Sequence, residues 1–328
     1  MHIWVDANGW PVPPFLLLGC LVLEILYFRG WSIIMRGVQA QRAARIARSA
    51  GRNGLVTSEP RQNGWLWRGI FFPCALFAFL LAASAPIDIL SSRLFWVHMI
   101  QHLLLLIVVP PLLIAGAPLL PLWLGLPRWA RRLFKTCIKL KVRWAFYRFG
   151  QWLLQPAIAS VLFVAGIWLW HWPVLYDLAL LNGSIHDWLE HSTFLLVSLL
   201  FWAQIIPSPP LRLRAGHLKR MGCIAVAIVQ NVILAAVIGF APQPLYAPYV
   251  HLALGPGGLT ALQDQSLGAG IMWTVGDLPF GIAFSVLLHQ WLTIQLGDDA
   301  EVQPTHVRVE EKPKSRADTQ LTHSQAKG

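Results

Sequence analysis

Apolar stretches of about 20 residues recur along the whole chain, each long enough to cross a hydrocarbon layer roughly 30 Å thick at about 1.5 Å per helical residue. They predict helices near residues 13–34, 69–85, 94–116, 152–172, 187–206, 221–240 and 266–296. Within lipid every backbone polar group must be satisfied by its own segment. Long apolar runs without period-2 alternation therefore favour helices over a barrel. The expected fold is all-α: a polytopic membrane bundle of about seven helices over residues 1–296, followed by a polar tail, 297–328, with no apolar periodicity. That tail reads as disordered.

Composition supports insertion. Hydrophobic residues make up 56% of the 328 positions and charged residues only 12%, against roughly 45–50% and about 25% in soluble domains. The net charge of +11 sits in the links between apolar runs, which points to anionic lipid headgroups as the partner and away from nucleic acid. Arg36, Arg42, Arg45, Arg48, Arg52, Arg61 and Arg68 follow the first helix, and Arg128, Arg131, Arg132, Lys135, Lys139, Lys141, Arg143 and Arg148 follow the third. Arg212, Arg214, Lys219 and Arg220 follow the fifth, whereas the alternate links hold Arg93 alone. The positive-inside rule then places the N-terminus outside and the C-terminus in the cytoplasm of a bacterial inner membrane. The first 14 residues carry no Lys or Arg, so the first apolar run is expected to stay as a helix and not be cleaved as a signal peptide. Cys20, Cys74, Cys137 and Cys223 are too scattered to suggest a disulfide framework or a Cys-x-x-Cys site.

With this orientation the histidines gather on one side. His98 and His102 begin the third helix, His171 ends the fourth, His186 and His191 open the fifth, and His251 lies in an outer link. His98 and His102, four apart, share a helix face and can approach one ion. His186 with Glu190, and Asp187 with His191, repeat that spacing, which places a carboxylate where it can orient an imidazole. Met99 and Met272 offer thioethers at a similar depth, and thioether with imidazole leans toward copper, although Met99 points away from His98. Asp264 is a further accessory candidate. The competing reading is that these histidines are interfacial hydrogen-bonding residues tying helix ends together. Asp277, mid-membrane before Pro279, belongs either to an intramembrane polar path or to a pair with an amide such as Gln230 or Asn231; Glu24 is expected to make a structural pair of that kind. Pro110 and Pro111 should kink the third helix, either opening a cavity or serving packing alone.

The run His98-Met99-Ile100-Gln101-His102, followed by Pro110-Pro111 and Gly116-Ala117-Pro118, resembles the multi-spanning CtaG-type cytochrome c oxidase assembly proteins. Three further stretches agree: Trp170-His171-Trp172-Pro173 leading into Leu175-Tyr176-Asp177; His186-Asp187-Trp188-Leu189-Glu190-His191; and Asp264 through Trp273. Ala269 stands where the family pattern tends to glycine. The resemblance covers roughly residues 10–296. It implies a non-enzymatic role in maturing a haem–copper oxidase, with oxidase subunits as partners and copper as the metal handled at the outer face. No nucleotide-binding fingerprint is present. Two alternatives stay open on the residues themselves: an inner-membrane metal-ion transporter using Asp277, and a b-type haem protein with axial histidines.

Overall fold

A computed structural model of the chain describes residues 11–50, 64–137, 140–211, 215–250 and 258–302. Among these residues every regular element is helical. Helix α1 (Pro14–Ala50) is followed by α2 (Gly64–Ala82), α3 (Ala85–Ser91) and α4 (Phe95–Leu103), which passes through a π-helical stretch (Leu104–Val108) into α5 (Val109–Ala115). Then come α6 (Leu119–Gly125), α7 (Arg128–Cys137), α8 (Leu140–Leu153), α9 (Pro156–Trp170) and α10 (Pro173–Leu181). A second π-helical turn (Ile185–Glu190) opens α11 (His191–Ile205), and α12 (His217–Gly239), α13 (Ala247–Val250) and α14 (Ala261–Val302) complete the chain.

Among the described residues four helical stretches are long and apolar enough to cross a membrane: Pro14–Ala44, Phe95–Ala115, His217–Gly239 and Ala261–Leu296. Two bent pairs, Leu66–Ala82 with Ala85–Ser91 at 48° and Tyr147–Leu153 with Pro156–Trp170 at 70°, raise the number to six. The expected fifth helix is present as Ile185–Ile205, but its first turn is polar and π-helical and α11 itself has 15 residues, short of the length expected of an unaided crossing. Several ends differ from the hydropathy reading. α1 runs on to Ala50 because the Arg- and Ala-rich stretch beyond the apolar run consists of good helix formers. α14 starts at Ala261, where the Gln263 amide N–H donates to Thr260 Oγ1 and the Thr260 amide N–H to Gln263 Oε1, a reciprocal cap. It continues to Val302, past the expected end at 296; residues 303–328 lie outside the described ones.

The chain forms two units, one ending at Leu288 and the other beginning at His289. In the first, helix pairs approach closely. α1 lies so near α6 that a Cβ on Gly30 would meet the Pro121 carbonyl oxygen at 1.8 Å, the small-residue contact typical of apolar helix pairs. Tyr27, fully buried, sets its hydroxyl 2.8 Å from the Arg68 carbonyl oxygen and 2.9 Å from that of Gly116, while Arg68 Nη1 donates to the Ala115 carbonyl at 3.1 Å. Arg68, from a link expected to be cytoplasmic, thus also closes a helix end, and Arg220, from another, does the same for α11 through the Ile205 carbonyl.

The Pro110-Pro111 pair explains the break in the α4–α5 rod. Proline has no backbone N–H, so Pro110 leaves the Leu106 carbonyl without its helical donor. The Val109 N–H reaches back five residues to Leu104, and Leu106 turns its carbonyl to α11, where Ser198 Oγ and Trp202 Nε1 donate to it, the latter at 3.1 Å. The kink therefore serves helix packing: a backbone acceptor in an apolar core finds its partners on the neighbouring helix. Replacing Ser198 by Ala and Trp202 by Phe strands that carbonyl, and should cost about 1–3 kcal/mol for the one unsatisfied acceptor, read as lowered thermal stability of the detergent-solubilised chain. Pro110→Ala in the same background returns a donor to Leu106 and should recover part of the loss.

Candidate metal centre

Helix α4 presents His98 and His102 on one face, as the four-residue spacing requires, with both side chains buried and their Nε2 atoms 2.8 Å apart. α11, held against α4–α5 by the Leu106 carbonyl, brings its polar first turn alongside. That turn is π-helical: the His191 N–H bonds to the His186 carbonyl, five residues back. In this register residues five apart overlie one another, so the His186 and His191 rings meet with centroids 4.2 Å apart. His186 also keeps its four-residue partner, its Nδ1 lying 2.8 Å from Glu190 Oε2. His171, just past α9, completes the group: ring centroids of His171, His186 and His191 lie 6.2, 6.1 and 5.8 Å from that of His102. Ligand atoms of His98, His102, His186 and Glu190, all buried, fall within 4.8 Å of one another.

The tautomers follow from partners that can only accept. Tyr249 donates its single proton to the Ser91 carbonyl at 2.8 Å, so at 3.1 Å it must accept from His98 Nδ1–H. His171 Nδ1–H donates to the Ile167 carbonyl at 2.8 Å, and His186 Nδ1–H to the Glu190 carboxylate. In all three rings Nε2 is left with the lone pair; that of His98 faces His102 Nε2 at 2.8 Å, while those of His171 and His186 have no hydrogen-bond partner. The Nε2 atoms of His171, His186 and His191, together with His102 Nδ1 and Glu190 Oε1, are buried without a hydrogen-bond partner, each at a cost of about 1–3 kcal/mol if nothing answers it. A water molecule offers two protons. A single cation answers several convergent lone pairs and a carboxylate together, and imidazole with carboxylate is a donor set suited to zinc, copper or iron.

Around the histidines runs a tyrosine layer. Tyr176 donates to Tyr249 at 3.1 Å and stacks on Tyr246 with centroids 3.9 Å apart, while Tyr246 donates to the His171 carbonyl at 3.1 Å. Burial pushes all three phenols above the usual tyrosine range, so they remain protonated donors. Tyr246 and Tyr249 carry no motif of their own. Their one signal was a place in the outer link beside His251, which itself lies outside the described residues.

The other expected residues fall elsewhere. Asp264 uses both oxygens to accept the Phe95 and Trp96 N–H groups at 2.8 and 3.1 Å, capping the free N-terminus of α4 from the start of α14. Met99 and Met272 are in the apolar core. Met99 faces α14, where a Cβ on Gly268 would lie 3.2 Å from its Cγ, so thioether ligation loses its geometric support. Asp277 accepts from Asn231 Nδ2 at 2.9 Å, the pairing alternative for that residue. Gln230 is engaged by Trp168 Nε1 at 3.1 Å, and Glu24, expected to pair, has an Oε2 with no hydrogen-bond partner. Asp187 is exposed. Asp88 on α3 was not foreseen: its Oδ1 lies 4.0 Å from His186 Nε2, in a short helix that hydropathy alone reads as a link.

Fold and site together define a class: a helical bundle of membrane-spanning character with a buried imidazole–carboxylate cluster gathered from three separate stretches. Residues 43–293 match the family described as cytochrome c oxidase caa3 assembly factor (Caa3_CtaG), and the chain belongs to that family. It is similar to uncharacterized protein Mb0105 of Mycobacterium bovis and uncharacterized protein MT0111 of Mycobacterium tuberculosis, each 26% identical over 246 residues, 73% of this chain and 36% of the relative. Uncharacterized protein ML1998 of Mycobacterium leprae is 24% identical over 250 residues, with the same coverage of each chain. The chain thus spans about a third of the length of the curated relatives it matches. No solved structure matches it significantly.

Removing the hydroxyl that fixes His98, in Tyr249→Phe, should weaken binding of a divalent or cuprous ion by roughly 10–100-fold, the usual cost of losing a partner that orients a ligand. Competition titration against a chromophoric chelator measures this. Unchanged affinity would mean that His98 is oriented by packing alone.

Proposed function

We propose that this protein handles copper as cargo for the assembly of a haem–copper cytochrome c oxidase, holding the ion among His98, His102, His186 and Glu190, with His171 and His191 beside them. The observation that carries the reading is that ligand atoms of His98, His102, His186 and Glu190, all buried, lie within 4.8 Å of one another, while buried atoms of His102, His171, His186, His191 and Glu190 have no hydrogen-bond partner. The donors alone suit several metals; copper is chosen because the family's clients are cytochrome c oxidases. The role is binding and transfer, not catalysis, and the oxidase subunits that receive the ion are its partners.

The topology in this reading has seven crossings, Ile185–Ile205 being the fifth, with the cluster beneath the outer surface of a bacterial inner membrane and the C-terminal tail of residues 297–328 inside. Basic residues support that sidedness: Arg29, Arg128, Arg131 and Arg132 line a groove of about 930 Å³, suited to anionic headgroups at the inner surface. The spacing of the imidazoles favours an ion over a porphyrin, since the His98 and His102 rings are 4.2 Å apart and the His98 and His186 rings 4.8 Å, leaving no slot for a macrocycle between them. The hydrogen bond from Asn231 to Asp277 gives the intramembrane acid a local partner and lends a transport path no support.

Metal analysis of purified wild type beside the His98→Ala/His102→Ala double variant tests the proposal. A stoichiometric copper ion in the first and none in the equally well-folded second is the expected result, together with oxidase deficient in copper in a strain carrying the variant. Equal metal content in both proteins, or fully metallated oxidase in that strain, would sink it.

A further inference from the structure

His186 belongs to two groups at once. Its ligand atoms fall within 4.8 Å of those of His98, His102 and Glu190, all buried, and also within 4.8 Å of those of Asp187, which is exposed, and His191, which is half-buried. Only one nitrogen of its ring is open to a cation. Nδ1 is engaged by Glu190 on the buried side, whereas Nε2 is buried, has no hydrogen-bond partner, and lies 4.0 Å from Oδ1 of Asp88, a side chain 46% exposed. His191 Nε2 is likewise buried and unpartnered. Asp88 and Asp187 act electrostatically on each other and on His186.

We propose that Asp88, Asp187, His191 and His186 form a second, entry station for the cation, which passes to the buried His98–His102–Glu190 station through His186 Nε2, the one free nitrogen of that ring and the ligand atom common to both. The inference rests on the reading that the buried cluster holds an ion. Its chemistry is ligand exchange with no change of oxidation state. A hydrated cation first replaces some of its water with the two aspartate oxygens, which suit a partly hydrated ion and raise its local concentration at the mouth. Imidazole nitrogens then displace the aspartates and the remaining water, and the released water leaves through the exposed mouth. Exposure falls along this path from Asp88 and Asp187 through His191 to the wholly buried Glu190, so dehydration proceeds in steps, each compensated by a new donor. α3 links the stations mechanically, because it carries Asp88 while its last residue, Ser91, accepts the hydroxyl that orients His98.

Cupric ion presented on a chromophoric chelator to the full chain in detergent tests the relay by separating loading rate from end-point occupancy. The Asp88→Asn/Asp187→Asn variant should load at least tenfold more slowly than wild type yet reach the same final occupancy, and wild-type loading alone should slow as ionic strength rises. Equal rates would overturn the relay while leaving the buried site standing. Loss of the ion at equilibrium would also overturn it, by making the aspartates part of a single site. Wild type that takes up no ion would overturn both the relay and the buried site. Should the double variant misfold, Asp88→Asn alone and the wild-type salt dependence decide: no slowing in either would be fatal to the proposal.

Discussion

The arrangement of the bundle depends on a carbonyl that its own helix cannot satisfy. In an apolar medium a backbone acceptor without a donor is costly, and Pro110 creates one at Leu106. The oxygen is answered by Ser198 and Trp202, which fixes the height and rotation of α11 against α4. Because His186, Glu190 and His191 occupy the first turns of α11, and His98 and His102 the first turns of α4, that bond, far from any ligand, aligns the two halves of the cluster. A break that would weaken an isolated helix becomes the register mark between two.

The cluster follows the same rule with the opposite outcome. Asp264, Gln101 and Gln265 bury polar atoms and find protein partners: Asp264 caps α4, Gln101 donates to the Ala82 carbonyl at 2.9 Å, and Gln265 donates to the Ile238 carbonyl at 2.8 Å. The histidines are wired only in part. Phenol, carbonyl and carboxylate oxygens hold Nδ1 of His98, His171 and His186, and His98 and His102 meet through their Nε2 atoms, whereas Nδ1 of His102 and Nε2 of His171, His186 and His191 find no protein partner. Unpartnered buried atoms also occur at Glu24 Oε2, Gln101 Oε1 and Arg220 Nε, but those of His102, His171, His186, Glu190 and His191 belong to residues gathered in one cluster, and the proposed cation site rests on that gathering.

How much of this was legible in the chain depends on which regularity each feature obeys. The helical class and most helix centres were, because lipid demands long apolar segments. The His98–His102 pair was, because α4 keeps the regular four-residue overlay through both. The grouping of the five histidines at one end of the bundle was readable from depth once the basic links were assigned a side. The His186–His191 contact was not, since five-residue spacing points apart in an α-helix and only the π turn brings those rings together. Asp264 looked like an accessory acid because an N-cap supplied from another helix leaves no local signature. Asp88, Tyr246 and Tyr249 escaped for the same reason: they reach the site through tertiary contacts, from the short helices α3 and α13 and the link before α13, while Tyr176 was seen only as part of a motif and not as a partner of the histidines.

The central claim is that one ion is bound by imidazole and carboxylate alone, with the nearby methionine sulfurs left in the core. X-ray absorption at the copper edge of the loaded, full-length protein tests it most directly. The account predicts a first shell of nitrogen and oxygen, about 2.0 Å from the metal as for the same ligands on zinc, with the outer-shell scattering of at least two imidazoles that disappears in His98→Ala/His102→Ala. Sulfur in the first shell, or imidazole scattering unaltered by that double substitution, would contradict it.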